Sequence, residues 1–183
     1  MKYAVFFSIL LVFCPMVNAQ FNDQDLTGKI LDAVMTDQRI RADGLLDEEA
    51  WLKANVAGDF IMYNPYNGIP SGYRTEVRVL YNDEALFIGA MMYDDSPDSI
   101  FTELGARDDN DINADNFYVE ISPFNDGLNG EVFKVTASNV QIDNKLSTGD
   151  EWFHEDTWDA VWESRTAILQ NGWSAEIEYH ILH

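Results

Sequence analysis

The chain has almost no cysteine, little histidine and few cations. Its one cysteine in 183 residues, Cys14, sits in an apolar run near the N-terminus. The rest of the chain therefore has no disulfide, no thiol nucleophile and no cysteine-ligated zinc. There are 3 histidines, two of them His180 and His183, which excludes a histidine-rich metal site. Lys+Arg number 11 against 32 Asp+Glu, a formal net charge of −21. Phosphate backbones bind through cations, so nucleic acid is excluded as a partner, and anionic membrane surfaces are disfavoured for the same reason. Such acidity fits solubility, and it fits carboxylates available to hard cations such as Ca2+. Beyond the N-terminus no run is long and apolar enough for a transmembrane helix.

Residues 1–19 read as a secretory signal peptide. Lys2 supplies the positive start, Ala4 to Cys14 the apolar run, and Val17-Asn18-Ala19 a small-residue cleavage site before Gln20. Phe13 is not the small residue a lipoprotein box needs, so Cys14 is not read as a lipid anchor. Residues 20–37 form a polar linker ending in an edge strand, with Leu31, Ala33 and Met35 alternating. Residues 38–183 are long enough for one domain.

Within that domain the apolar spacing is that of strands. Val77, Val79 and Tyr81 alternate against Glu76, Arg78 and Leu80, and Trp173, Ala175, Ile177 and Tyr179 against Ser174, Glu176 and Glu178. Ala85 to Tyr93 is apolar on both faces, which predicts a central strand. Gly58, Phe60 and Met62 suggest another strand, and 64–73 a Pro- and Gly-rich loop. Trp158, Ala160 and Trp162 alternate on one more strand, and Asn171-Gly172 is a hairpin turn. Trp158, Trp162 and Trp173 read as core. A short helix is predicted after Asp47 as N-cap, docked by Trp51 and Leu52, and a helical turn at Ser96-Pro97. Eight or nine short strands and little helix make an all-β antiparallel sandwich, jelly-roll-like.

The chain is organised around 107–143. It opens with Asp108, Asp109, Asn110, Asp111, Asn113, Asp115 and Asn116, then becomes a strand with Phe117, Val119 and Ile121 on one face. A returning strand carries Phe133, Val135 and Ala137; the phase then slips to Val140 and Ile142, so a bulge or kink with Asn139 left-handed is expected. Asp109, Asp111, Asn113, Asp115 and Glu120 have an EF-hand-like spacing, but Ala114 replaces the obligatory glycine and the flanks are strands. Two readings remain: an oxygen-rich structural Ca2+ loop built from Asp108, Asp109, Asp111, Asn113 and Asp115, or a solvated acidic loop. No G-x-S-x-G is present, and spacing among so many acids picks out no catalytic pair.

Asp43 to Trp51 (DGLLDEEAW) resembles the "DG-x-LDE-x-x-W" opening of family 9 carbohydrate-binding modules and their relatives. Thr75 to Ala90 (TEVRVLYNDEALFIGA), Arg107-Asp108, Asp115-Asn116-Phe117, Val135 to Ser138 with Val140-Gln141, Trp158 to Ser164 and Gly172 to Glu178 fit the same pattern in order. The resemblance runs from about Gln38 to Glu178. It is similar in particular to the branch that forms the N-terminal module of large Gram-negative envelope proteins, where a long outer-membrane barrel region follows. It implies a β-sandwich that binds oligo- or polysaccharide without catalysis, in the periplasm, the outer membrane or outside the cell. It also implies structural calcium, and glycoside hydrolases as common fusion partners in polysaccharide breakdown. The alternative it leaves is a structural module of a barrel protein that binds no sugar. Such modules stack aromatic rings on pyranose C–H faces; here the loop aromatics Tyr63, Tyr66, Trp152 and Phe153 are the candidates. Where the family continues with a Pro-containing segment such as "IPFSALRF", this chain has Tyr179 to His183 and ends, which reads as truncation.

Overall fold

Alternating apolar residues give eight strands in two sheets among the described residues, as a sandwich requires. The computed structural model describes residues 29–125, 128–147 and 158–181. Strands β1 (Val34–Met35), β2 (Thr75–Tyr81), β3 (Ala85–Tyr93), β8 (Gly172–His180) and β7 (Trp162–Leu169) form a five-stranded sheet in the order β1-β2-β3-β8-β7. Strands β4 (Asn116–Ile121), β5 (Asn129–Thr136) and β6 (Gln141–Ser147) form a second sheet in sequence order. All pairings are antiparallel except β1 with β2. Strand β3 lies in the middle of the larger sheet, as its two apolar faces predict. The helical content among the described residues is one short helix, α1 (Glu49–Lys53), and a 3-10 turn at Pro97–Ser99.

The inner faces meet around Phe133. Its ring centroid lies 5.0 Å from Tyr179, 5.3 Å from Trp162 and 6.1 Å from Trp158. Tilted and edge-on pairs of this kind add about 0.5–1.5 kcal/mol each beyond burial. Trp162 and Trp173 are buried and Trp158 packs beside them, so all three tryptophans are core. The phases predicted for Phe117, Val119 and Ile121, and for Phe133 and Val135, are the inward ones.

The larger sheet is covered on its outer face as well, and this corrects several expectations. Ile40, Ala50, Trp51 and Ala54 pack over Leu80, Ala85 and Phe87 there. Leu80, whose place in the alternation puts it on the outward face, is 0% exposed. Glu176, which alternates with the inward Ala175 and Ile177, is 1% exposed. Alternation identifies two faces of a strand but cannot tell whether the second is roofed. In β1, Val34 and buried Thr36 face inward rather than Ala33 and Met35. The helix cap is Glu48, not Asp47, and it makes no side-chain cap bond. Trp51 docks α1, but Leu52 is 79% exposed because one short turn has a single inward stripe.

Two further local corrections concern loops. Ser138-Asn139 is not a bulge in one strand but the turn of the β5–β6 hairpin. Asn139 has φ 62°, as expected, and its N–H donates to the Thr136 carbonyl at 2.8 Å. The phase slip is thus a chain reversal. Phe60 and Met62 lie in no strand; the segment makes only isolated bridges, Ala57 with Val77 and Ile61 with Pro70.

Candidate functional site

The acidic stretch first serves to close a sheet edge. Strand β6 is one of the two edges of the smaller sheet, and an open edge leaves backbone groups unpaired. Asp108 N–H donates to the Gln141 carbonyl at 3.0 Å, and its Oδ1 accepts from Asp143 N–H at 3.2 Å. Arg107 reaches into the sandwich beside them. It donates to Gln141 Oε1 at 2.8 Å and to the Ala160 carbonyl at 3.2 Å, and it forms a close ion pair with Asp143. The Asp143 carboxylate is buried and also accepts from Trp162 Nε1 at 3.0 Å and Ala160 N–H at 2.8 Å. This network fastens 158–162 to β6 and engages both Asp143 oxygens.

Several of the expected calcium ligands already make local bonds. Asp109 Oδ1 accepts from Asp111 N–H at 3.0 Å, and Asp115 Oδ2 from Phe101 N–H at 3.2 Å. Asn113 N–H donates to Glu103 Oε2 at 2.9 Å. Such short-range carboxylate bonds hold loops in shape. Among the described residues no three His, Cys, Asp or Glu side chains converge where a metal ion could be held. The four aspartates thus form no ready-made cluster, and no step of the function is routed through a calcium ion.

After the β6 edge the stretch crosses to the outer face of the smaller sheet. Asn110 Oδ1 accepts from Lys134 Nζ at 2.7 Å, and Ser138 Oγ donates to the Glu103 carbonyl at 2.7 Å. Partial burial pulls the Lys134 ammonium below the usual lysine range. Directly opposite Lys134 in the β4–β5 register stands Tyr118, 55% exposed. Glu120, next outward on β4, is also exposed. An aromatic ring, an ammonium, an amide and a carboxylate thus share one sheet face. From Lys134 to Gly130, four residues along β5, is about 13 Å. There a cleft of about 240 Å³ opens beside the β4–β5 hairpin, lined by Pro123, Phe124, Asn129, Glu131, Lys145 and Leu146 among others. Glu131 accepts from the Tyr179 hydroxyl at 3.1 Å, and Lys145 Nζ sits 4.9 Å from the Trp158 ring centroid.

Of the aromatics named from the sequence, Tyr63 and Tyr66 are 85% and 65% exposed, on a loop apart from this face. Trp152 and Phe153 lie outside the described residues. Tyr118, Phe124 and Lys134 were not singled out from the sequence. Tyr118 is readable there as outward-facing, but Lys134 gains its role only when the acidic loop folds across β5. A larger cleft, about 370 Å³, opens on the other sheet between Leu45, Leu52, Met91 and Leu169. Its polar end is already committed, because Glu76 pairs with Arg74 and Arg78 and accepts from the Tyr93 hydroxyl.

No protein-family model and no curated protein matches the chain. Solved structures do. A family 9 carbohydrate-binding module from Caldicellulosiruptor kristjanssonii, solved with cellotriose, superposes with TM-score 0.52 at 15% identity, over 81% of this chain and 66% of that one. The same organism's module with glucose gives TM-score 0.54 at 14% identity, over 82% and 68%. A proposed carbohydrate-binding protein from Bacteroides uniformis gives 0.59 at 8% identity, over 81% and 71%. This chain thus spans about two thirds of the length of the first structures it matches. Identities this low speak to architecture, and on that level the match is shared by all three: the chain has the fold of the family 9 carbohydrate-binding modules.

Proposed function

We propose that the chain is a binding module for neutral oligosaccharides and takes them on the outer face of its smaller sheet. The observation that carries this is the Lys134–Asn110 pair standing opposite the exposed Tyr118 ring. A pyranose offers C–H faces to an aromatic ring and hydroxyls to ammonium, amide and carboxylate groups. Tyr118 supplies the first and Lys134, Asn110 and Glu120 the second. The ligand is uncharged, because a chain of net charge −21 repels uronates and sulfated glycans. The fold neighbours with bound glucose and cellotriose support the same class of ligand. Binding without catalysis is part of this reading.

Calorimetric titration with cellotriose, xylotriose and glucose tests it. The parent chain is expected to release heat with at least one, and Tyr118→Ala and Lys134→Ala to weaken that binding by about tenfold each. No heat with any neutral oligosaccharide, or variants that bind like the parent, overturns it. Export through the 1–19 leader belongs to the same reading; N-terminal sequencing of chain recovered outside the cytoplasm should begin at Gln20. A sequence beginning at Met1 refutes that part.

A further inference from the structure

The loop at 60–73 (FIMYNPYNGIPSGY) contains no charged residue, in a chain that carries 43 of them if Lys+Arg 11 and Asp+Glu 32 are taken together. It leaves the larger sheet at the edge of β2, where Ala57 N–H donates to the Val77 carbonyl at 2.8 Å and Val77 N–H to that of Ala57 at 2.9 Å. It is then shaped by its own backbone. Met62 N–H donates to Ile69 at 2.8 Å, Gly68 N–H to Met62 at 2.9 Å, and Ser71 N–H to Phe60 at 2.9 Å. Its side chains are therefore presented rather than packed: Phe60, Ile61, Tyr63, Tyr66, Ile69 and Tyr73 are all exposed. Exposed apolar patches of this kind mark interaction sites.

The chemistry selects the partner. A basic protein would be drawn to the acidic parts of the surface, not to this uncharged loop. An anionic surface would be repelled by the chain as a whole. Tyrosine rings beside the amides of Asn64 and Asn67 and the hydroxyl of Ser71 match a surface of C–H faces and hydroxyls without charge. We infer that the 60–73 loop is a second carbohydrate contact, separate from the sheet face, which lays the module on the surface of an insoluble neutral polysaccharide. The inference shares the carbohydrate reading proposed above but rests on a different element. Two contacts on one polymer raise overall retention without either being tight alone.

The test compares the full chain with Tyr63→Ala/Tyr66→Ala on washed microcrystalline cellulose, with cellotriose titrated in parallel. Both side chains lie in solvent, so the variant should melt with the parent. The expected result is a fall of about tenfold in the partition onto cellulose, with cellotriose binding unchanged. Equal retention of variant and parent overturns the inference, as does a parent that cellulose does not retain. Joint loss of retention and cellotriose heat in the loop variant overturns the separation into two sites. A parent that sediments as a dimer, and a variant that sediments as a monomer, assigns the loop to a second copy instead. Retention through the loop without cellotriose heat keeps the loop contact and removes the sheet-face reading, so the two fail separately.

Discussion

Raising the pH from 5 to 8 should destabilise this domain through Glu176, a carboxyl enclosed between the larger sheet and its outer cover. Glu176 Oε2 accepts from Asp43 N–H at 2.9 Å and Gly44 N–H at 2.8 Å, and Oε1 from Trp51 Nε1 at 3.1 Å. Its register partners are Gly89 on β3 and Arg165 on β7. A Cβ at Gly89 would lie 2.7 Å from Leu46 and 3.1 Å from the Trp51 ring, so only glycine lets that ring down beside the carboxyl. Burial pushes the Glu176 carboxyl up from 4.5 to about 7, with the nearby Glu48 charge adding to it and the three N–H donors opposing. Between those values the folded chain holds a proton that the unfolded chain has released. Unfolding free energy therefore falls as pH rises through that window and levels off above it. The full swing is about 3 kcal/mol, on the order of 10 °C in Tm for a domain of this size. Glu178, raised mainly by burial, contributes with the same sign. Glu176→Gln isolates the share of Glu176. Its amide leaves one N–H donor facing another, at about 1–3 kcal/mol, but it does not titrate. Urea unfolding of parent and variant at steps from pH 5 to 8 should show the parent's lead shrinking as pH rises. A parent whose stability is flat or rising over that range, or a variant with the same slope, refutes the reasoning.

Arg107→Ala should leave the buried Asp143 carboxylate without its counter-charge; because Arg107 is partly exposed, the loss in urea unfolding is about 2–3 kcal/mol, the low end for a broken buried pair, and a loss below about 0.5 kcal/mol would show the pair to be idle. Asn139→Ala should cost about 1–2 kcal/mol because alanine resists the left-handed φ of 62°, whereas Asn139→Gly should cost less; equal losses would tie the effect to the Ser164 Oγ bond to Asn139 at 3.2 Å rather than to backbone conformation. Since the loop carboxylates already accept backbone N–H groups, melting curves in calcium and in EDTA should coincide within about 2 °C. A larger drop in EDTA would restore a calcium site at Asp108, Asp109, Asp111, Asn113 and Asp115.

Much of the architecture is written in local pattern. Period-two alternation assigned the inner faces of β4, β5 and β8, and the doubly apolar run assigned β3 to the middle of its sheet. Asn139 announced its left-handed turn because few other side chains accept that conformation. These features are legible because each depends on neighbours in sequence. What failed depends on partners far along the chain. The outward phases of Leu80 and Glu176 follow from alternation alone, but that face is roofed by 36–54, from another part of the chain, so both residues are buried. Asp43-Gly44 and Trp51 stand out as a motif in sequence, yet their common purpose, three N–H donors on one carboxylate, exists only across more than 120 residues of separation. The candidate binding face follows the same rule. Tyr118 is an outward strand residue in any reading, and Lys134 is an ordinary outward lysine until Asn110 is folded across to it. Spacing along a chain fixes which way a side chain points; only the packed fold decides what lies in front of it.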